Sequence, residues 1–447
     1  MLVKEIIDIT NGILVYGEEH TPCENFSKDT RTLQKGDVYI GIHGEKFDGN
    51  TLYKEAFEKG ANVCILETQE VEKIEGKTVI AVENSVQALQ QIAAYKRSQY
   101  DIPVIAITGS VGKTSTKDMI ASVVAQEYHV LKTQGNFNNE IGLPLTILQL
   151  KDHTAMVVEM GMNHLREIAT LTNIAKPTIA VITNVGTAHI GNLHSRENIL
   201  KAKLEIVEGL AKQGTLVINN DNDMLHAWQR KPDIQQTICT YGIHENSQYM
   251  PESMTLGEES SDILVEGCSI HVPVAGEHFV SNSLCAIAVG KQLGISMKNM
   301  KTGIETFELS KQRMEKAQNA IGATIINDAY NANFDSMKAS LQYLGNLTHT
   351  RKIAVLGDML ELGEFSRELH EKVGNVLQNT NIDVVITVGT EAKHIAKQVE
   401  NKMVYSFDNN AQAIQTLQTM VQKGDTVLLK ASNGMKFSEI FQALMHM

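Results

Sequence analysis

Short apolar, β-branched runs recur along the chain, and most are separated by stretches of helix length. In the first hundred residues VYIGI (38–42), NVCIL (62–66) and TVIAV (78–82) sit between turn signals, and VQALQQIAAYKRSQY (86–100) has helical spacing. IPVIAIT (102–108), bounded by proline and glycine, predicts a buried strand, and KTSTKDMIASVVAQEY the helix after it. AMVVEM (155–160), TIAVIT (178–183) and TLVIN (215–219) continue the alternation, which predicts a mostly parallel, doubly wound sheet. The pattern loosens after Asn220, and the polar stretch 244–262 reads as a loop or short-strand excursion. ATIIND, KIAVLG, DVVITVG, MVYSF and TVLLK then restore it as a second open sheet.

The expected fold class is therefore α/β in three domains. These are a small α/β N-terminal domain (1–100), a central P-loop-type parallel sheet (101–312) and a C-terminal Rossmann-like open sheet (313–447). A length of 447 residues agrees, at roughly 150 residues per domain. No fixed-period repeat is present, which excludes solenoids and propellers.

Charge narrows the function. Asp and Glu number 52 against 40 Lys and Arg, a formal net charge of -12, and so acidic a surface repels nucleic-acid backbones. No apolar run reaches the ~18 residues that span a bilayer, and MLVKEIIDIT lacks a secretory h-region. Five scattered cysteines without CxxC spacing argue against a disulfide framework or structural zinc. A cytoplasmic protein, acting as a monomer, is expected.

The sharpest chemical signal is Gly109-Ser110-Val111-Gly112-Lys113-Thr114-Ser115, between a predicted strand and a predicted helix. Glycines there let successive N–H groups converge on a phosphate, backed by the positive helix end. Lys113 would charge-pair the β/γ-phosphates and Thr114 would ligate Mg²⁺. Ile107 replaces the usual first glycine, so the loop is the shorter T-G-x-x-G-K-T form. Glu159 ends a predicted strand, where it is either a metal ligand or a solvated carboxylate. His189 follows another strand, and a lone histidine is more often packed or exposed than ligating. Lys201 and Lys203, in RENILKAKLEIVEGL, read on composition as surface charges in i,i+4 pairs. Asp328, Tyr330, Asn331 and Asn333 form a dense polar set that is either a turn or a ligand site. Arg313, near a domain junction, either faces solvent or reaches a transferring phosphoryl group. Asp29-Thr30-Arg31 and GEKFDGN (44–50) look like turns, and no ligand site follows from them on physical grounds.

Taken in order, DTR, GEKFDGN, TGSVGKTST, GNFNNEIGLPLT, VVEMGMN, TNVGTAHIG, KAKLEI, GEHFVSN, QRME, NDAYNAN, LGDMLELG and KASNGM resemble the Mur ligases. These are ATP-dependent amide-forming enzymes of peptidoglycan precursor synthesis. The resemblance implies that Gly109 to Ser115 hold the triphosphate, with Thr114 and Glu159 on one Mg²⁺. It implies that His189 serves a second Mg²⁺, and that Lys203 is carbamylated and serves that ion too. Asn282 and the turn of Asp328, Asn331 and Asn333 would contact adenine and ribose, and Arg313 the γ-phosphate. Asp29, Thr30, Arg31, Asn138 and Asn139 would meet the UDP-sugar. Asn433 stands where an arginine is frequent, and no residue is assigned to the incoming dipeptide.

Within the family, NNEIGLPLT, EMGMN, NDAYNAN and LGDMLELG point to joining D-alanyl-D-alanine to UDP-N-acetylmuramoyl-tripeptide. The alternatives are a Mur-type ligase adding a single amino acid, or a P-loop ATPase or phosphotransferase. Domain closure over a labile acyl phosphate leads to a further expectation: without nucleotide, the chain should be open, with Arg313 far from Lys113.

Overall fold

The computed structural model describes residues 1–447 except 45, 46, 232, 233 and 349, so part of the GEKFDGN motif lies outside the described residues. Four sheets follow one another along the chain. The first has the order Ile13–Tyr16, Thr78–Ala81, Val63–Leu66, Val38–Ile40, Phe26–Ser27, parallel except at Ile13–Tyr16.

The second sheet is wholly parallel. Its order is Thr237–Tyr241, Thr215–Asn219, Ile179–Ile182, Val104–Thr108, Ala155–Glu159, Val130–Lys132. Every residue of Val104–Thr108 and Ala155–Glu159 is buried, as expected of strands covered by helices on both faces. After Ala155–Glu159 the chain crosses Val104–Thr108 to build the other half of the sheet, so the carboxyl end of Val104–Thr108 is a topological switch point.

The polar excursion becomes a small antiparallel sheet, Ser253–Leu256, Ser261–Val265, Cys268–Val272. The last sheet has the order Glu315–Gln318, Thr324–Asn327, Thr426–Lys430, Lys352–Gly357, Val384–Val388, Met403–Phe407, parallel except at Glu315–Gln318. All the runs read as strands are strands. Those that escaped the reading are Ile13–Tyr16, Phe26–Ser27, Val130–Lys132, Thr237–Tyr241 and Glu315–Gln318. Each is the outermost strand of its sheet, half open to solvent and short of the continuous apolar run that marks an interior strand.

Two devices fix the P-loop region against its neighbours. Arg97, buried near the end of helix Ser85–Ser98, donates to the carbonyls of Ala175 (2.8 Å) and Lys176 (3.3 Å), capping helix Glu167–Ala175. Helix Lys113–Val124 buries Met119, Ile120, Val123 and Val124 in the same core as Leu284, Ile287 and Met300. Each such side chain contributes about 1.5–3 kcal/mol on burial. Among the described residues no helix is long and apolar enough to cross a membrane.

Backbone approaches backbone in this packing at Gly303, where an added Cβ would lie 2.6 Å from the Val123 Cα and 2.8 Å from the Ser122 carbonyl oxygen. Gly303→Ala is expected to destabilise the chain by about 1–3 kcal/mol through overpacking. A lowered urea midpoint at unchanged m-value is the measurement that checks it.

Candidate active site

The glycine loop leaves strand Val104–Thr108 at the switch point and enters helix Lys113–Val124 through Gly112, which is left-handed at φ +80°. Asn184 holds the loop: its side-chain oxygen accepts the amides of Ser110 (3.0 Å) and Val111 (2.9 Å), and its NH₂ donates to the Val111 carbonyl (2.9 Å). The Thr183 hydroxyl donates to the same carbonyl at 2.8 Å. Gly109 is required here, because a Cβ would lie 1.9 Å from the Thr183 hydroxyl oxygen. The amides of Gly112, Lys113 and Thr114 make no hydrogen bond among the described residues. They form the positive end of the helix, a ready anion site.

Glu159 gathers the polar groups around this loop. One carboxylate oxygen accepts the Thr114 hydroxyl (2.9 Å) and the other accepts the Asn138 amide (2.7 Å). Its own amide donates to the Thr133 hydroxyl at 3.0 Å. Lys113 folds back, Nζ donating to the Gly109 carbonyl at 2.8 Å. Desolvation lowers its pKa, Glu159 opposes that shift, and Arg313 adds to it.

Arg313 is delivered from the hinge before the last sheet. Its Nη2 donates to the Thr114 hydroxyl at 3.2 Å, and its guanidinium lies 4.1 Å from the Tyr330 ring centroid. It has no carboxylate partner, and its Nε is buried without a partner among the described residues. Arg313 thus touches the P-loop across the cleft between the two sheets. Other contacts join the two sheets as well. Asp335 accepts the Thr187 amide at 3.0 Å, and His189 donates from Nδ1 to Glu361 at 2.9 Å.

Lys203 corrects the surface reading made from composition. It is 1% exposed, and its amine makes no hydrogen bond or ion pair among the described residues. Burial, with Lys113 nearby, pushes its pKa well down, toward the neutral amine. Lys201 remains exposed. The helix Arg196–Leu204 thus turns one of its two late lysines inward.

The polar turn is braced against the hinge and the strand beside it. Asp328 pairs with buried Lys430 at 2.7 Å, accepts the Ser340 hydroxyl at 2.7 Å, and accepts the Met314 amide beside Arg313 at 3.2 Å. Asn333 caps helix Phe334–Asn346 through Ser336, and the Asn331 side chain accepts the Ala332 amide. Asn282 accepts the Thr116 hydroxyl at 2.8 Å. A cavity of about 1180 Å³ opens here between the two sheets, lined by Val111, Ser115, Asn282, Arg313, Asp328 and Lys430 among others.

Three expected groups lie outside that cluster. His189 makes no hydrogen bond or ion pair with Thr114, Glu159 or Lys203; its partner is Glu361, whose pKa that hydrogen bond lowers. Asp29 and Arg31 pair with each other at 2.6 Å, which holds the Asp29 carboxyl down at about 2, and Thr30 donates to Glu55. Asn139 accepts the Gly142 amide at the start of helix Gly142–Ile147.

The residue pair Thr114–Glu159 offers adjacent hard oxygens, the donor set that suits Mg²⁺ shared with phosphates. Among the described residues no group of three His, Cys, Asp or Glu is arranged to hold a metal. Sequence reasoning missed Asn184, Asp335, Glu361 and Lys430 as functional groups. The available signal was their place within, or for Asp335 just beyond, the motifs TNVGTAHIG, NDAYNAN, LGDMLELG and KASNGM. Asn184→Ala removes the acceptor of two loop amides and is expected to weaken ADP binding about tenfold, by calorimetric titration, with the melting temperature within a few degrees of the parent.

Residues 107–290 match the Mur ligase middle domain, and residues 312–433 match the model described as Mur ligase, glutamate ligase domain. The UDP-N-acetylmuramoyl-tripeptide–D-alanyl-D-alanine ligase of Bacillus subtilis (strain 168) is 37% identical, over 99% of this chain and 98% of that protein. The enzyme of that name from Escherichia coli (strain K12) is 29% identical, over 99% and 98%. Among solved structures, MurF from Acinetobacter baumannii superposes with a TM-score of 0.90 at 29% identity, covering 99% and 98% of the two chains. MurF ligase from Thermotoga maritima in complex with ADP gives 0.83 at 28%, covering 94% and 97%. The phosphate loop, its carboxylate and the arginine brought from the hinge before the last sheet thus sit in a chain that belongs, over its whole length, to the Mur ligases.

Proposed function

We propose that this ATP-dependent ligase joins D-alanyl-D-alanine to UDP-N-acetylmuramoyl-tripeptide in peptidoglycan precursor synthesis. The observation that carries the reading is the seating of Arg313 against Thr114: a cation without a carboxylate partner, brought from one sheet to the phosphate loop of another. Full-length similarity to ligases of that name supports the substrates.

A carboxylate is a poor electrophile, so it must be activated before an amine can displace oxygen. The tripeptide's terminal carboxylate attacks the γ-phosphorus of ATP, the β–γ bridging bond breaks, and ADP leaves. Lys113, Arg313 and the helix amides stabilise the charge spread over the phosphoryl oxygens. The amine of D-alanyl-D-alanine then attacks the acyl carbon, phosphate departs, and the nitrogen loses a proton to leave the amide. Contacts between the sheets keep water from the acyl phosphate.

Thr114 and Glu159 would hold one Mg²⁺, and His189 with Lys203 a second; when bound, these ions neutralise phosphate charge. Lys203 suits carbamylation because a buried, neutral amine is the form that reacts with CO₂, and the product is a hard oxygen ligand. Asp29, Thr30, Arg31, Asn138 and Asn139 would face the UDP-sugar, with residues 1–100 as its domain and 313–447 as the domain of the dipeptide. Asn282 and the turn at Asp328, Asn331 and Asn333 line or border the cavity offered to the nucleoside. One chain supplies every group named, so a monomer suffices, and its nucleotide-linked substrates place it in the cytoplasm.

Purified protein given ATP and the UDP-muramoyl-tripeptide should release ADP with D-alanyl-D-alanine and not with D-glutamate or a diamino acid. Equal release with a free amino acid would assign it to another Mur ligase. ATP turnover indifferent to the muramyl peptide would make it a simple ATPase. Glu159→Ala should lower kcat roughly a hundredfold or more while the thermal melt stays close to the parent's. Lys203→Ala should be inactive and regain part of its activity in millimolar acetate or formate. An active Lys203→Ala would remove the carbamate from the proposal.

A further inference from the structure

The contact between His189 and Glu361 has no part in the chemistry derived above. It joins the loop after strand Ile179–Ile182 of the central sheet to the loop after strand Lys352–Gly357 of the last one, with Nδ1 2.9 Å from the Glu361 carboxylate. Both residues are left-handed without being glycine, His189 at φ +62° and Glu361 at +64°. Such backbone persists where the surroundings over-determine it.

The surroundings of Glu361 do so. Asp358 accepts the amides of Thr390 (3.2 Å) and Ala392 (2.7 Å). Fully buried His370 accepts the Met359 amide at 3.0 Å and donates from its other nitrogen to the Ser366 carbonyl at 2.7 Å. Leu360 donates its amide to the Ser432 hydroxyl at 3.0 Å. Three consecutive residues are clamped, and the fourth is presented to another domain. On the far side, a Cβ at Gly191 would lie 2.6 Å from the Glu361 carbonyl oxygen and 2.7 Å from the Gly363 nitrogen, so the two loops dock backbone to backbone.

A carboxylate only accepts, so Nδ1 of His189 carries a proton, and in the neutral imidazole Nε2 is then the nitrogen with the lone pair. We propose that Glu361 is a positioning residue: docking of the last sheet fixes His189 in the Nδ1–H tautomer, so that Nε2 is an electron-pair donor to the reacting centre only in the closed arrangement. This rests on the reading that His189 serves that centre. Carboxylates that orient a ligating histidine from behind are worth about 10–100-fold in affinity or rate.

The test uses full-length protein with ¹⁵N-labelled histidine, His189→Gln identifying the resonance. At alkaline pH the parent should show His189 protonated at Nδ1. Glu361→Gln should keep that tautomer, because the amide oxygen still accepts, whereas Glu361→Ala should return it to the mixture of free imidazole. Gly191→Ala, which leaves Glu361 intact but parts the loops, should do the same, and it covers the case in which Glu361→Ala fails to fold. In steady state Glu361→Ala should lose about 10–100-fold in kcat with the KM for ATP little changed, and Glu361→Gln should recover most of it. An unchanged tautomer in both Glu361→Ala and Gly191→Ala would overturn the proposal, as would equal kcat losses in the Gln and Ala variants. The spectra need neither substrate nor metal, so their failure leaves the ligase reading standing. That reading fails separately, if the parent's ADP release ignores the dipeptide.

Discussion

An excess of positive charge around a single carboxylate governs this molecule. Lys113 feels both Glu159 and Arg313, with Glu159 opposing the shift, and Lys203 feels Lys113. Two like charges 4 Å apart at an effective dielectric of 20 repel by about 4 kcal/mol, too much to leave uncompensated in a cleft. The protein meets this in part by desolvation, which favours neutral lysines, and in part by spending Glu159 on two hydrogen bonds that hold it in place. What relieves the site fully is a polyanion. Affinity for a nucleotide triphosphate is thus a consequence of the charge imbalance, and the glycine loop supplies the shape.

The arginine that completes the imbalance is fastened at both ends of its hinge. Upstream, Ser310 donates to Asp118 on the P-loop helix at 2.6 Å, and Asp118 is held in turn by Lys132 at 2.8 Å and Lys117 at 3.2 Å. Downstream, the Met314 amide is accepted by Asp328. Arg313 therefore hangs between a residue of the central sheet and a residue of the last, and stacking on Tyr330 sets its aim. Arg313, Asp335 and Glu361 each find a partner across the cleft in the protein itself. These contacts draw the two sheets together around the phosphate loop.

The parts of this architecture that could be read from the chain are those whose signal is local. Val104–Thr108 and Val384–Val388 are continuous apolar runs because helices cover both faces, and a one-dimensional pattern reports that. The glycine loop is equally local, since a tight turn, a helix start and a lysine are contiguous. Edge strands such as Met403–Phe407 and Thr237–Tyr241 show the contrast. Both carry exposed positions, yet MVYSF keeps enough aromatic and branched character to be found and TICTY does not stand out from the loosened stretch around it. Lys203 was illegible on composition, because RENILKAKL has the charge pattern of any solvated helix. Its burial depends on which face the fold turns inward. Only the family resemblance singled it out.

Residues that act through a distant partner form the last class. Asn184 works 73 or 74 positions from the amides it holds, Asp335 is 148 from Thr187, and Glu361 is 172 from His189. No window along the chain contains both members of such a pair. What these three share is chemical: each offers a fixed acceptor to a loop that leaves the carboxyl end of a central strand. An open sheet gathers its loops at that end, where neighbouring loops brace one another, as Asn184 braces the phosphate loop. A second sheet laid across that end is a further support, and here it also carries the arginine. The surface that steadies the loop of Thr187 and His189 therefore also delivers Arg313 to the phosphate loop, so docking of the last sheet and the shape of that loop are coupled without a separate signalling element.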